Sequence, residues 1–293
     1  MISWPTHLVE AIALRKTVLF LGAGVSVNAR NSVGKQPATW KQFLLDILDK
    51  DKEKIGKSAR IIKKCIKEND YLTACEIIVD IIGSRDFGDR VDDEFRKPGY
   101  KPSNIHRLLY RLDSRIVITP NVDKIYEQYA MAESNSTVVV KSYYEEEIVA
   151  SLRKNDYLII RAHGSADDHS RMIFTRKQYG EARCRYASFY KILDALSITH
   201  TFIFLGCGIS DPDIQLVLEN QNLLYPNCRP HYFITASNTF KPELEKVLKN
   251  NRNIELLTYS NRDKTHQKLC DSLEDLAKQV ENCRKNIADD QIW

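Results

Sequence analysis

The 293-residue sequence lacks cysteines paired as C-x-x-C. Its seven cysteines stand apart, at Cys65, Cys75, Cys184, Cys207, Cys228, Cys270 and Cys283. Zinc ribbons take their ligands from such pairs, and disulfide scaffolds normally contain an even number of cysteines. We therefore expect no bound zinc or other metal. We also expect reduced thiols, as is typical of a cytoplasmic protein.

Long apolar runs and a strong excess of one charge are missing as well. The longest apolar runs, such as Thr201–Leu205, are far shorter than the roughly 20 residues of a membrane helix. Lys and Arg number 43 and Asp and Glu 39, so the net charge of +4 does not by itself indicate nucleic acid binding. The N-terminal segment carries Glu10 and no small-residue cleavage site, which argues against a secretory signal. We expect neither a membrane nor nucleic acid as a direct partner.

Short β-branched and aromatic runs alternate with helix-length segments along most of the chain. The runs are Thr17–Leu21, Arg115–Thr119, Thr137–Lys141, Tyr157–Ala162, Thr201–Gly206, His231–Thr235 and Ile254–Tyr259. Continuous apolar runs are typical of parallel strands that are buried on both faces. The alternation predicts an α/β fold with a Rossmann-like, doubly wound and mostly parallel sheet.

Residues 38–98 interrupt this alternation. Trp40, Phe43, Leu44 and Ile47 recur at helical spacing, and the stretch contains no strand-like run. It predicts a helical insertion beside the sheet, within a single domain that spans residues 1–293. A further helix is predicted over about 264–286, and the segment Asp213–Leu224 also has helical spacing.

Four short motifs follow predicted strands. They are GAGVS at 22–26, TPNVD at 119–123, AHG at 162–164 and GCGISDPD at 206–213. A Gly-x-Gly turn lets the backbone come close to a ligand phosphate, and ligands of open α/β sheets bind at the carboxyl ends of the strands. Val27 stands where the dinucleotide fingerprint needs its third glycine, which disfavours a hydride-transferring dehydrogenase.

Taken singly, the polar residues of these motifs have two interpretations. Asn121 and Asp123 could face a ligand or cap a helix. His163 could be a general base, because an imidazole pKa near 6.5 suits that role, or an ordinary turn histidine.

In their order, the four motifs resemble the sirtuin family, and more closely the sirtuin-like domains of bacterial anti-phage defence. The resemblance runs from about Val18 to Asp213 and includes the pattern Pro-x-x-Trp at Pro37–Trp40. It implies that NAD is the substrate and that the bond between nicotinamide and ribose is cleaved, giving nicotinamide and ADP-ribose. Protein deacylases carry a GIPDFR-like stretch and zinc cysteines that this chain lacks, so deacylation is the weaker alternative.

The resemblance also implies a role for each motif residue. The pyrophosphate would be held by Gly22, Ala23, Gly24 and Ser26, and the adenosine side lined by Gly206, Gly208 and Ser210. Asn121 would orient the ribose or the attacking water, and Asp123 would hydrogen-bond the nicotinamide carboxamide. His163 would be the general base, on a ribose hydroxyl or on water. The transition state would resemble an oxocarbenium ion, as in glycoside hydrolysis.

Two interpretations from other functional classes stay open beside the hydrolase. The chain could sense NAD or ADP-ribose without turning it over, although a pure sensor has no need of a base at His163. The lysines between Lys50 and Lys67 could serve a nucleic-acid-binding or scaffold role, but acidic residues are interspersed among them and a solvated helix face is the simpler interpretation.

An uncontrolled NAD hydrolase would drain its own cell. We therefore expect activity to be gated by assembly, either as a homo-oligomer or with a partner protein. The resemblance implies partners of ATPase/helicase type or Argonaute type, and a role as an effector of abortive infection. The helical insertion and the last helix are the expected contact surfaces.

Overall fold

The computed structural model describes residues 1–209, 211–212, 215, 218, 228–263 and 265–290. Within these residues, seven strands form one sheet: β1 Thr17–Leu21, β2 Ile116–Thr119, β3 Val139–Ser142, β4 Leu158–Arg161, β5 Thr201–Leu205, β6 His231–Ala236 and β7 Ile254–Tyr259. Their order is β3-β4-β2-β1-β5-β6-β7, and each neighbouring pair is parallel. The predicted Rossmann-like α/β fold is confirmed.

The central strand β1 shows why the sequence forms such a sheet. All five of its residues are buried. Because side chains alternate between the two faces of a strand, Val18 and Phe20 enter the core on one face while Leu19 and Leu21 enter the core on the other. A strand that is covered on both sides must be apolar throughout, and this produces the continuous runs seen in the sequence.

Helices cover both faces of the sheet. They are α1 Thr6–Ala13, α2 Ala23–Ser26, α3 Trp40–Lys50, α4 Lys52–Ile55, α5 Ala59–Lys67, α6 Tyr71–Ile82, α7 Ser84–Val91, α8 Asn104–Arg111, α9 Ile125–Glu133, α10 Ile148–Arg153, α11 Arg176–Arg185, α12 Ala187–Thr199, α13 Pro242–Arg252 and α14 Gln267–Asp290. Helices α1, α8 and α14 pack on one face, and α10, α12 and α13 on the other. Most of the predicted helix over Asp213–Leu224 lies outside the described residues. Of the helices that the structure describes, none has the length and apolarity needed to cross a membrane.

Helices α3 to α7 occupy the stretch between residues 40 and 91, and a π-helical turn follows at Asp92–Arg96. These helices have a core of their own, with Phe43, Ile62 and Ile78 among its buried members. Val122 and Phe174, from loops at the carboxyl edge of the sheet, complete that core. The helical segment therefore packs over the edge of the sheet to which the four motifs belong.

Candidate active site

The two glycine turns contact each other at the centre of the sheet. They follow β1 and β5, which are neighbours in the sheet. From β1 the chain continues to β2, which lies on the other side of β1 from β5, so the order of the strands changes direction at this point. The Gly22 amide donates to the Leu205 carbonyl at 2.9 Å, and the Gly24 amide donates to the Gly206 carbonyl at 2.8 Å. Open α/β sheets bind their ligands at such a change of direction.

This contact explains the glycines. A Cβ atom added to Gly22 would lie 2.5 Å from the Gly206 carbonyl oxygen, and one added to Gly206 would lie 2.6 Å from the Val25 nitrogen. Gly206 also has φ of +71°, a left-handed conformation that favours glycine. The turns can pack this closely only because both lack side chains at these positions.

A cavity of about 700 Å³ opens beside the two turns. Its sheet side is lined by Gly22, Ala23, Gly24, Asn121, Asp123, His163, Gly206 and Gly208. The structure thus gathers most of the predicted site residues around one space, whose size is within the usual range of small-molecule sites. Ser210 lies outside the described residues.

Ser26 connects two of these residues. It is buried, and its Oγ accepts a hydrogen bond from Asn121 Nδ2 at 3.1 Å. Its hydroxyl is also close enough to the Asp123 carboxylate to lower the pKa of that group. Ser26 thereby holds the amide of Asn121 beside Asp123, and its expected contact with a pyrophosphate stays a prediction.

Asp123 both lines the cavity and helps to start a helix. Its Oδ1 accepts from the Ile125 amide at 3.0 Å, at the beginning of α9. Burial raises the pKa of the Asp123 carboxyl, the hydrogen bonds from Ile125 and Ser26 oppose the shift, and the negative charge of Glu127 adds to it. The charged form of this carboxyl group is therefore disfavoured by its surroundings.

The neighbouring charges form a separate pair. Arg161, at the end of β4, donates from Nε to Glu127 Oε2 at 2.9 Å and from Nη2 to Glu127 Oε1 at 2.6 Å. Glu127 is buried, so this two-pronged contact balances a charge that would otherwise be costly. The Arg161 guanidinium group therefore links α9 to the end of β4.

His163 is held in a fixed orientation directly after β4. Only 2% of the residue is exposed, although it lines the cavity. The Tyr179 hydroxyl lies 2.5 Å from Nε2, and the two rings meet edge to face with centroids 5.1 Å apart. The next residue, Gly164, has φ of +79°, and a Cβ there would lie 2.5 Å from the Arg171 carbonyl oxygen.

The helical insertion supplies the opposite wall of the cavity. Trp40 stacks on Tyr71 with centroids 5.7 Å apart, and it meets Phe174 edge-on at 6.0 Å. All three side chains line the cavity. Such a surface suits a flat ring of a ligand. The helical spacing of the sequence includes Trp40, but it does not show that this face borders a cavity.

Helix α11 crosses from the sheet to the insertion beside the cavity. Arg176, in its first turn, donates to Asp70 Oδ1 at 2.7 Å and to Thr73 Oγ1 at 2.8 Å, and the Lys177 amide donates to Glu76 Oε2 at 3.1 Å. This helix is not among those predicted from the sequence. Its signal there is a capping box, in which Thr175 and Gln178 hydrogen-bond each other's backbone amides.

In the part of the chain that the structure describes, no cluster of three or more His, Cys, Asp or Glu side chains is placed to hold a metal ion. The cavity instead offers an amide, a carboxyl group, an imidazole and an aromatic wall. These groups can bind a nucleotide and move a proton.

The sequence is similar to those of known proteins. Residues 115–257 match the family described as SIR2-like domain. The chain is 28% identical over 246 residues to the NAD(+) hydrolase ThsA of Enterococcus faecium, covering 83% of this chain and 46% of that relative. It is 25% identical over 232 residues to the protein of the same name from Bacillus cereus, covering 77% and 44%.

A third relative is Defense-associated sirtuin 2 of Bacillus subtilis, 25% identical over 217 residues, which cover 73% of this chain and 20% of that protein. The chain spans less than half the length of each of these three relatives. These similarities confirm the resemblance read from the four motifs: residues 115–257 match the SIR2-like domain family, and the chain is similar to proteins named NAD(+) hydrolase ThsA and Defense-associated sirtuin 2.

Proposed function

We propose that this chain is an NAD glycohydrolase, which cleaves the bond between nicotinamide and ribose and releases nicotinamide and ADP-ribose. The observation that carries the proposal is the convergence of Asn121, Asp123 and His163 on one cavity beside both glycine turns. The name NAD(+) hydrolase on several relatives supports it.

The substrate would lie across the carboxyl edge of the sheet. Its pyrophosphate would follow the Gly22–Gly24 turn, and its adenosine would lie toward Gly206 and Gly208, with Ser210 as a further contact. The nicotinamide riboside would then reach Asn121 and Asp123. The Asp123 carboxylate would accept a hydrogen bond from the carboxamide, and this would stabilise its charged form.

The reaction breaks one bond and forms one. The C1′–N bond of the nicotinamide ribose breaks, and its electron pair neutralises the positive pyridinium nitrogen, so no strong general acid is needed. Water attacks the oxocarbenium-like C1′ with its orientation set by Asn121, and His163 takes the proton that the water loses. No zinc or other cofactor takes part in this scheme.

Nicotinamide release by the purified protein tests the proposal. We expect release by the wild type and loss of roughly a thousandfold in both His163→Ala and Asn121→Ala, because each removes a group at the reacting atoms. His200→Ala is the matched control, since His200 precedes β5 and lies at the opposite edge of the sheet. Full activity in His163→Ala would contradict the proposed base.

The alternatives give different results in the same experiment. Tight NAD binding by calorimetry with no release under any condition would indicate a sensor of NAD or ADP-ribose. Release that requires an acyl-lysine peptide would indicate a deacylase.

We also propose that assembly gates the activity and that the protein acts in the cytoplasm as an abortive-infection effector. Its partner would be a second copy of the chain, or a protein of ATPase/helicase or Argonaute type. Light scattering combined with specific activity over a dilution series tests the gating. A fully active monomer at micromolar concentration would contradict it.

A further inference from the structure

We infer that Tyr179 is a positioning residue for His163, and that helix α11 connects the general base to the helical insertion through it. The inference rests on the proposed hydrolase function, because it assigns His163 the role of base.

The contact between the two side chains is specific. The Tyr179 hydroxyl lies 2.5 Å from Nε2 of His163, and both residues are almost completely buried. The edge-to-face packing of the rings, with an interplanar angle of 78°, restricts rotation of the imidazole. A hydrogen bond on one ring nitrogen determines which nitrogen carries the proton, so Tyr179 influences both the direction and the protonation pattern of the base.

Tyr179 is itself held firmly. Gln178, the preceding residue, accepts hydrogen bonds through Oε1 from the Phe174 amide at 2.8 Å and the Thr175 amide at 3.0 Å. Thr175 Oγ1 accepts from the Gln178 amide at 3.1 Å. The start of α11 is therefore fixed to its loop, and the Tyr179 side chain has little freedom to move away from His163.

The same helix turn is attached to the insertion. Arg176 contacts Asp70 and Thr73, and the Lys177 amide contacts Glu76, all at or near the start of α6. Only one residue, Gln178, lies between Lys177 and Tyr179. A shift of α6 relative to the sheet would therefore move the Tyr179 hydroxyl that orients His163. These contacts connect the insertion directly to the proposed base.

Removal of the hydroxyl tests the positioning role. In Tyr179→Phe, we expect kcat for nicotinamide release to fall about tenfold while KM stays within about twofold, because the ring keeps its packing and only the orientation of the base is relaxed. Tyr143→Phe is the control, since its buried hydroxyl donates to the Arg171 carbonyl at 3.1 Å and not to His163. A kcat for Tyr179→Phe within twofold of wild type would overturn the inference.

A second readout does not need activity. The protein has seven histidines, so the side-chain ¹⁵N resonances of His163 can be assigned by comparison with His163→Gln. We expect Tyr179→Phe to shift these resonances and Tyr143→Phe to leave them in place. Unchanged resonances in Tyr179→Phe would overturn the contact. Shifted resonances in a protein that never releases nicotinamide would count against the hydrolase and leave the contact intact.

Discussion

The two walls of the cavity are built in different ways. The sheet wall consists of residues that come directly after strands, such as Asn121 and His163, on a backbone fixed by parallel hydrogen bonding. The insertion wall consists of aromatic side chains from helices and a loop far apart in the sequence, Trp40, Tyr71 and Phe174. In the proposed mechanism the reacting groups therefore stand at the ends of strands, as precise sites require, while the aromatic side chains shape the opposite side of the cavity.

The walls also differ in how they are attached. The glycine turns of the sheet wall contact each other through backbone atoms and tolerate no added atom. The insertion is tied to α11 by the Arg176–Asp70 ion pair, whose side chains are 61% and 36% exposed. Exposed ion pairs contribute little free energy, so this polar link is weaker than the packing of the glycine turns, and the insertion is held mainly by the apolar core that it shares with Val122 and Phe174. Substitutions in the sheet wall should therefore reduce stability and activity more than substitutions in the insertion wall.

The largest effect is expected for Gly206→Ala. The new Cβ would lie 2.6 Å from the Val25 nitrogen, so the two turns must separate. We expect a loss of about 3 kcal/mol in the free energy of unfolding and no measurable NAD binding. Gly34→Ala is the matched control because Gly34 also has positive φ, +82°, while no atom of the described residues lies within 4 Å of its added Cβ. It should lose only about 1 kcal/mol and bind normally. Equal behaviour of the two variants in thermal unfolding and calorimetry would contradict the packing argument.

The Asp123→Asn variant should lose activity without losing stability. We expect nicotinamide release to fall roughly thirtyfold, because the charged acceptor for the carboxamide is lost. Burial raises the pKa of this carboxyl in the folded protein, so the native state holds the proton more tightly than the unfolded chain. The contribution of Asp123 to the stability of the wild type should therefore decrease as pH rises above the ordinary carboxyl range, and the asparagine variant should lack this contribution.

Denaturant unfolding at pH 4 and pH 7 measures that difference. The variant should gain on the wild type at pH 7 and show a smaller gain at pH 4. The exposed Asp80→Asn in α6 is the control and should follow the wild type at both values. A variant that is less stable than wild type at pH 7 would show that the Asp123 charge stabilises the fold.

Trp40→Leu should affect binding more than chemistry. The change removes the stacking on Tyr71 and the edge contact with Phe174 but leaves the site apolar. We expect KM for NAD to rise about fivefold, with kcat changed by less than twofold. The control is Trp4→Leu, since Trp4 packs in the core on the other face of the sheet and donates to the Ser272 carbonyl. If the control raised KM equally, the effect would be general destabilisation.

The smallest effect is expected for Asp70→Asn. Asparagine keeps the cap on the Thr73 amide at the start of α6 but loses the ion pair with Arg176. The free energy of unfolding should change by less than about 1 kcal/mol. The kcat should fall by less than in Tyr179→Phe, since the link to His163 is loosened and not removed. A larger fall in kcat than in Tyr179→Phe would show that the ion pair matters more for His163 than the tyrosine hydroxyl does.

The sheet wall could be predicted from the sequence because its cause is local. A strand buried on both faces must be apolar, and the residues that follow it must lie at the carboxyl edge. The apolar runs alone therefore place Gly22, Asn121, His163 and Gly206 at one edge of the sheet. The hydrogen bond between Ser26 and Asn121 could not be predicted, because the two residues lie 95 positions apart in the chain.

The insertion wall could be predicted only in part. The spacing of Trp40 and Phe43 indicates a helix, but which loops that helix covers is decided by the packing of Val122 and Phe174 into its core. Helix α11, which carries Tyr179, could have been found from the capping box of Thr175 and Gln178, whereas the contact of Tyr179 with His163 could not.

A structure of the His163→Ala variant with NAD would show the proposed substrate position itself, since this variant should bind the substrate without consuming it. We expect the pyrophosphate along Gly22–Gly24, the carboxamide within hydrogen-bond distance of Asp123, and one ring of the nucleotide against the insertion wall at Trp40. NAD bound elsewhere on the protein, or bound in the cavity with its nicotinamide ribose remote from Asn121 and position 163, would contradict it.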